Sequence, residues 1–161
     1  MKQHYIEEKL DKAGLTIFTS QEFRRATGLS TASTKFLLIR YVKRGLILKL
    51  KEKRGLYCLK RRPPPKWHLA NKLLRPSYIS FESALAHYRA IPETVYGISS
   101  ATPLTTRTFH ALGTLFTFQK IKNPAYIGYR SAQIEDTTVL VAEPEKALAD
   151  YLYFVHLGKK S

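Results

Sequence analysis

Cysteine occurs once in the 161-residue chain, at Cys58, so no internal disulfide can form and no thiolate zinc cluster can be assembled. No apolar run approaches the ~18 residues of a membrane span, and the N-terminus carries no apolar signal region. These absences predict a cytoplasmic protein with no membrane association. Acidic side chains are scarce as well: 12 Asp and Glu stand against 27 Lys and Arg, a formal net charge of +15. A surplus of that size points to a polyanionic partner. The low-hydrophobicity signature of disorder is missing too, since 44% of residues are hydrophobic and 12% aromatic, enough to bury a core.

The positive charge is uneven. Residues 1–66 hold 17 Lys or Arg against 5 Asp or Glu, a net of +12, which leaves +3 for residues 67–161. The composition changes at "RRPPPKWH", residues 61–68, where three successive prolines fix φ and remove backbone donors. This stretch predicts an extended spacer, residues 63–68, between a basic domain over 1–62 and a second domain over 69–161.

Within the basic part, Ile6, Leu10 and Ala13 make one apolar stripe that ends at Gly14, the mark of an amphipathic helix. In "FTSQEF", Thr19 and Glu22 have the spacing of a capping box, and Phe18 and Phe23 that of a hydrophobic staple. Gly28 suits a left-handed helix end and Ser30 a new N-cap, so "RATGLSTAS" reads as helix, tight turn, helix. Along the third helix Thr34, Leu38, Tyr41 and Val42 follow a core-facing spacing. Thr31, Ser33, Lys35, Arg40 and Lys43 become candidate DNA contacts, because the second helix of such a pair offers its first residues to base edges. A solvated surface would look the same in an isolated helix. Phe36, Leu37 and Ile39 make this helix more apolar than a solvated face needs, and some are expected to be covered by the spacer, the second domain or another subunit.

After Gly45, Leu46, Leu48 and Leu50 alternate with Ile47 and Lys49 on one strand, and residues 56–59 supply the return strand. The tip between them reads KEKRG, with Gly55 free to take positive φ and Lys51, Lys53 and Arg54 projecting. Three helices followed by a basic-tipped hairpin predict a winged helix-turn-helix on double-stranded DNA, its tip cations meeting phosphates rather than bases.

The second part predicts an α+β domain with a largely antiparallel sheet. Ser80 can cap a helix carrying Leu85 and Tyr88 that ends before Pro92. The runs "TVYGIS", "TRTFHALGTLFTFQKI", "AYIGYR" and "TVLVA" read as strands, with Gly113 at a hairpin turn. "EPEKALADYLYFV" places Pro144 at a helix start with Leu148, Tyr151, Leu152 and Val155 on one face.

No residue set here predicts catalysis. Ser83 and His87 lie four apart on one helix, without a positioned carboxylate or oxyanion site beside them. Glu143 and Glu145 complement a helix N-terminus, Asp150 follows, and the five His residues show no paired ligand spacing. Neither metal nor cofactor is expected. The tail "GKKS" lacks the earlier glycine, strand and helix of a phosphate loop.

Over residues 16–154 the chain resembles the AbiEi family, the antitoxins of type IV (abortive infection) toxin–antitoxin systems. The resemblance is carried by Ser-Phe-Glu-Ser-Ala-Leu at 80–85, Ile-Pro-Glu at 91–93 and Glu-Pro-Glu-Lys-Ala-Leu at 143–148, in that order behind the basic domain. It implies a winged helix that binds inverted repeats in its own promoter, represses it, and a second domain that opposes a co-encoded nucleotidyltransferase toxin without a stable complex. Many AbiEi-like chains continue past the last motif, whereas this one stops at Ser161, so a solitary regulator whose second domain dimerises or senses a ligand stays open. An RNA-binding protein is the third reading, although core packing explains the aromatics in the strand patterns. One short recognition helix supplies too little discrimination for a single genomic site, so two copies on DNA are expected, from a monomer or weak dimer.

Overall fold

The computed structural model describes residues 2–92 and 95–160. Glu93 of the Ile-Pro-Glu run, Thr94 at the head of "TVYGIS" and Ser161 of the tail lie outside the described residues. The protein is a mixed α+β chain with six α-helices among the described residues and a largely antiparallel set of strands. It divides into two compact units, Met1–Pro64 and Pro65–Ser161.

In the first unit α1 (Gln3–Lys12) buries Ile6 and Leu10, while Ala13, expected on the same stripe, is its exposed C-cap. A short strand β1 (Ile17–Thr19) precedes α2 (Ser20–Thr27). Thr19 closes the anticipated capping box: its Oγ1 accepts from Glu22 N at 3.2 Å, and Glu22 Oε1 accepts from Thr19 N at 3.1 Å. Phe18 and Phe23 meet at 5.6 Å between centroids, as a staple requires. Gly28, at φ +74°, ends α2, and Ser30 opens α3 (Thr31–Lys43) by accepting from Ser33 N.

Strands β2 (Ile47–Lys49) and β3 (Leu56–Leu59) form the hairpin, and β1 adds to it in the order β1-β3-β2, antiparallel throughout. β1 was not expected from the sequence, because three residues are too few to show a period. Ile47, not Leu46 or Leu48, is the buried residue of β2. The core gathers Ile6, Leu10, Phe18, Phe23, Leu38 and Tyr41.

The second unit opens with a helix where a spacer was expected: α4 (Lys66–Leu73) starts directly after Pro65, its N-cap residue, and takes in Lys66, Trp67 and His68. Proline obstructs a helix interior but not the turn that begins one, and Leu69, Ala70 and Leu73 supply the buried face. Strand β4 (Tyr78–Ile79) leads into α5 (Phe81–His87); then come β5 (Ile98–Thr102), β6 (Arg107–Ala111), β7 (Thr114–Lys120), a 3-10 turn (Asn123–Ala125), β8 (Tyr129–Ile134), β9 (Thr137–Ala142) and α6 (Pro144–His156). The six strands run in the order β6-β7-β5-β4-β9-β8, with parallel pairs β5/β7 and β4/β9 and the rest antiparallel. Gly113, at φ +76°, turns the β6–β7 hairpin as anticipated. "AYIGYR" becomes a strand only from Tyr129, after Gly128 bends at φ +78°.

The largest departure concerns α6. Of its apolar row, Leu148, Leu152 and Val155 are exposed and Tyr151 is half-buried, and the helix instead buries Ala147, Asp150 and Phe154. The reason lies across the sheet. Asp150 Oδ2 accepts from Tyr78 Oη at 2.8 Å and from Ser80 Oγ at 2.7 Å, while Lys146 Nζ sits 2.8 Å from Oδ1. Burial, and then the Asp150 charge, hold the Tyr78 phenol well above its ordinary range. Ser80 therefore stands at the N-cap position of α5 without capping it with its side chain, because its hydroxyl is given to Asp150. The next residue, Phe81, takes φ +56°, strained for a bulky side chain, and is held by stacking on Phe154 at 5.0 Å.

Replacing Asp150 by Ala strands a largely buried ammonium and two buried hydroxyls, so urea unfolding of the full chain should show a loss of about 3 kcal/mol, against under about 0.5 kcal/mol for the exposed Glu145→Ala. Equal losses from both would refute the anchoring role of Asp150.

Candidate nucleic-acid interface

α3 carries most of the residues singled out in sequence. Its buried row, Thr34, Leu37, Leu38 and Tyr41, faces the core, so Leu37 joins it and Val42 is only half-buried. The 3.6-residue period then puts Ala32, Phe36, Ile39 and Lys43 in the row pointing directly away from that core. Thr31 and Lys35 run along one flank of this row, Ser33 and Arg40 along the other. All eight are exposed. Of the three apolar residues of which some were expected to be covered, Leu37 is buried in the core of its own unit, while Phe36 and Ile39 are 72% and 60% exposed.

Ser30 and Gly28 set the start of this helix, and with it which residues point outward. No acidic residue occurs in α3, and among the described residues Lys35, Arg40 and Lys43 form no ion pair.

The second group is the hairpin tip. Leu50 N donates to Leu56 O at 2.9 Å, closing the loop, and Gly55 makes the turn at φ +81°. Lys51, Lys53 and Arg54 are exposed there and, like the α3 cations, form no ion pair among the described residues; Glu52 is the tip's one carboxylate. Sequence reasoning passed over Arg44 and Lys49, exposed cations at the end of α3 and on β2, although the local charge density was a signal for them.

The other acidic side chains of this unit sit elsewhere. Glu8 pairs with Lys12 at 3.0 Å, Glu7 with Arg61 at 3.8 Å and Asp11 with Arg62, while Glu22 is engaged in the α2 cap. The Lys12 ammonium lowers the Glu8 carboxyl below its usual range by a hydrogen bond and by charge.

Among the described residues the second unit offers no comparable assembly. Ser83 is buried, its Oγ accepting from Ser99 N at 2.8 Å and donating to Gly97 O, whereas His87 is exposed with its ring against Trp67. Glu143 and Glu145 are exposed at the α6 start, and Asp150 is used as described above. A cleft of about 630 Å³ lies beside Glu82, Ser99, Thr117, Tyr151 and Lys160, where Lys160 Nζ is 2.6 Å from Glu82 Oε1. Burial pushes the Cys58 thiol up to about 11, which keeps it protonated and unreactive at neutral pH. Among the described residues no group of three or more His, Cys, Asp or Glu could hold a metal ion, and no helix is long and apolar enough to cross a membrane.

No protein-family model matches the chain, and no curated protein matches it.

Tip and helix should behave differently on duplex DNA. Changing Lys53 and Arg54 to Ala should weaken all sequences alike and flatten the salt dependence by about 2 in slope, whereas Lys35→Ala or Ser33→Ala should narrow the gap between preferred and random sequence by about 1 to 3 kcal/mol. Fluorescence anisotropy with both duplex types measures each quantity, and equal loss of discrimination from the two sets would overturn the division of roles.

Proposed function

We propose that the chain is a winged helix-turn-helix DNA-binding regulator of the AbiEi antitoxin type, which represses its own promoter and counteracts a nucleotidyltransferase toxin. The observation that carries the DNA-binding half is the face of α3 and the hairpin tip, where exposed cations stand without carboxylate partners while four of the unit's five acids are spent on α1 and on the α2 cap and only Glu52 stands at the tip. The order helix, strand, two helices joined at Gly28, then a hairpin joined by β1, supports the winged-helix reading. α3 would lie in the major groove, and Lys51, Lys53 and Arg54 would neutralise phosphate beside it. Two copies on inverted half-sites would provide the ~4 to 10 kcal/mol by which specific regulators exceed their non-specific binding.

The antitoxin half rests on the resemblance of residues 80–85 and 143–148 to the family, and it acts without a lasting complex with the toxin. The alternative is a solitary regulator, which the cleft beside Glu82 and Lys160 favours, since a concave site with an ion pair at its wall could take a small ligand. The protein does no catalysis in either version.

If each copy neutralises about four to six phosphates, log K for duplex DNA should fall against log salt with a slope of roughly −4 to −5 per copy. Binding measured across a salt series decides it, and a flat response or a clear preference for single-stranded RNA would sink the proposal.

Separately, if a nucleotidyltransferase toxin is encoded beside this gene, cells expressing it should be rescued by the full chain, and also by its Lys53→Ala, Arg54→Ala form with impaired DNA binding. Absence of rescue by the unaltered chain would replace the antitoxin with the solitary regulator.

A further inference from the structure

The outermost row of α3 is apolar where a solvated helix would be polar. Ala32, Phe36 and Ile39 follow one another at spacings of four and three, Lys43 closes the row, and the two large side chains are 72% and 60% exposed. Isolated apolar residues on a surface need no explanation. Here two large ones are neighbours on one turn and cations border them on both sides, Lys35 and Arg40 each about 70° around the helix from the row, in opposite directions.

That pattern, an apolar ridge between basic flanks, selects its partner by chemistry. The major groove is about 12 Å wide and a helix with its side chains about 10 to 12 Å across, so flanks turned to either side meet the phosphates of the two strands while the ridge meets the floor. On that floor hydrogen-bonding edges would leave Phe36 and Ile39 facing unpaired polar groups. The one apolar group displayed there is the 5-methyl of thymine. An apolar ridge between copies of this chain fits less well, because it would bring together two α3 faces that each carry Lys35, Arg40 and Lys43 and no acid.

We propose that Phe36 and Ile39 are specificity-determining residues that pack against thymine 5-methyl groups, so that the preferred half-site holds thymines at the positions beneath the middle of α3. The inference rests on the DNA-binding reading above and deepens it: Ser33, Lys35 and the flanking cations set register and hydrogen bonds, and the ridge adds a preference for methylated pyrimidine. Cytosine methylated at C5 presents the same group at the same place, so it substitutes for thymine in this contact wherever the hydrogen-bonding edge is not itself read.

The test uses the full chain and duplexes selected by it from a random 30-base-pair pool. Each thymine of the selected duplex is replaced in turn by deoxyuridine, which removes the methyl and nothing else. One or more positions in each half-site should lose about fourfold in affinity, the effect of one buried methyl group. Phe36→Ala and Ile39→Ala, both at exposed positions that leave the fold intact by circular dichroism, should bind the thymine duplex more weakly and no longer distinguish it from the deoxyuridine duplex. Lys53→Ala should weaken both duplexes equally and keep the fourfold difference. If the unaltered protein selects and binds duplexes with the expected salt dependence yet ignores every deoxyuridine replacement, the methyl contact is refuted while DNA binding stands. If it binds no duplex at low salt, the DNA-binding reading itself fails. If Phe36→Ala instead abolishes self-association in sedimentation and leaves the thymine preference untouched, the ridge is a contact between copies and the inference is overturned.

Discussion

Everything distinctive in the first unit follows from a shortage of carboxylates. Five acidic residues share it with a large excess of Lys and Arg, and four of them are committed: Glu7, Glu8 and Asp11 pair with Arg61, Lys12 and Arg62 around α1, and Glu22 closes the α2 cap. Nothing acidic remains for α3, and only Glu52 for the hairpin tip. Cations left close together repel one another and cost stability, a cost that a bound polyanion removes and converts into affinity through counterion release. The start of α3 is capped by the hydroxyl of Ser30, whose hydrogen bond brings no negative charge to the exposed face.

The second unit depends on a single acid of the opposite kind, one that is buried. Asp150 ties Tyr78 on β4, Ser80 at the strand-to-helix junction and Lys146 on α6 to one carboxylate. This arrangement gives physical content to two of the sequence runs on which the family resemblance rests. Ser80, Phe81 and Ser83 of the first run supply the Asp150 bond, the strained stack on Phe154 and the exchange with Ser99; Lys146 and Ala147 of the second supply the ion pair and the buried face of α6. Those motif residues are thus occupied in holding α5, α6 and the sheet together. What α6 turns outward is the row Leu148, Leu152 and Val155.

Much of the first unit was legible because its signals are local. A capping box, a left-handed glycine, an N-cap serine and a glycine-turned hairpin each act within about five residues, and all four are in place. The candidate cations were legible too, since Lys and Arg on a short helix or loop tip rarely go anywhere but out. Misreadings came where an element is too short to carry a period or where a stripe had two places to go. The β1 and β4 strands are three and two residues long. The α4 helix follows prolines that argued for extended chain, although Pro65 only precedes it.

By itself the sequence determined the charge surplus and its skew toward residues 1–66, the single thiol, the helix and hairpin punctuation of the first unit, and the α+β character of the second. Those depend on composition and on interactions between near neighbours, which survive whatever the rest of the chain does. Tertiary structure alone decided which side of α6 is inside, since the choice between a Leu-Leu-Val row and one containing Asp150 turns on hydroxyls some 70 residues away that make burying a carboxylate tolerable. It also decided that Leu37 enters the core while Phe36 and Ile39 stay out, because a helix with apolar residues around most of its circumference has no preferred face until Phe18, Phe23 and the hairpin supply one.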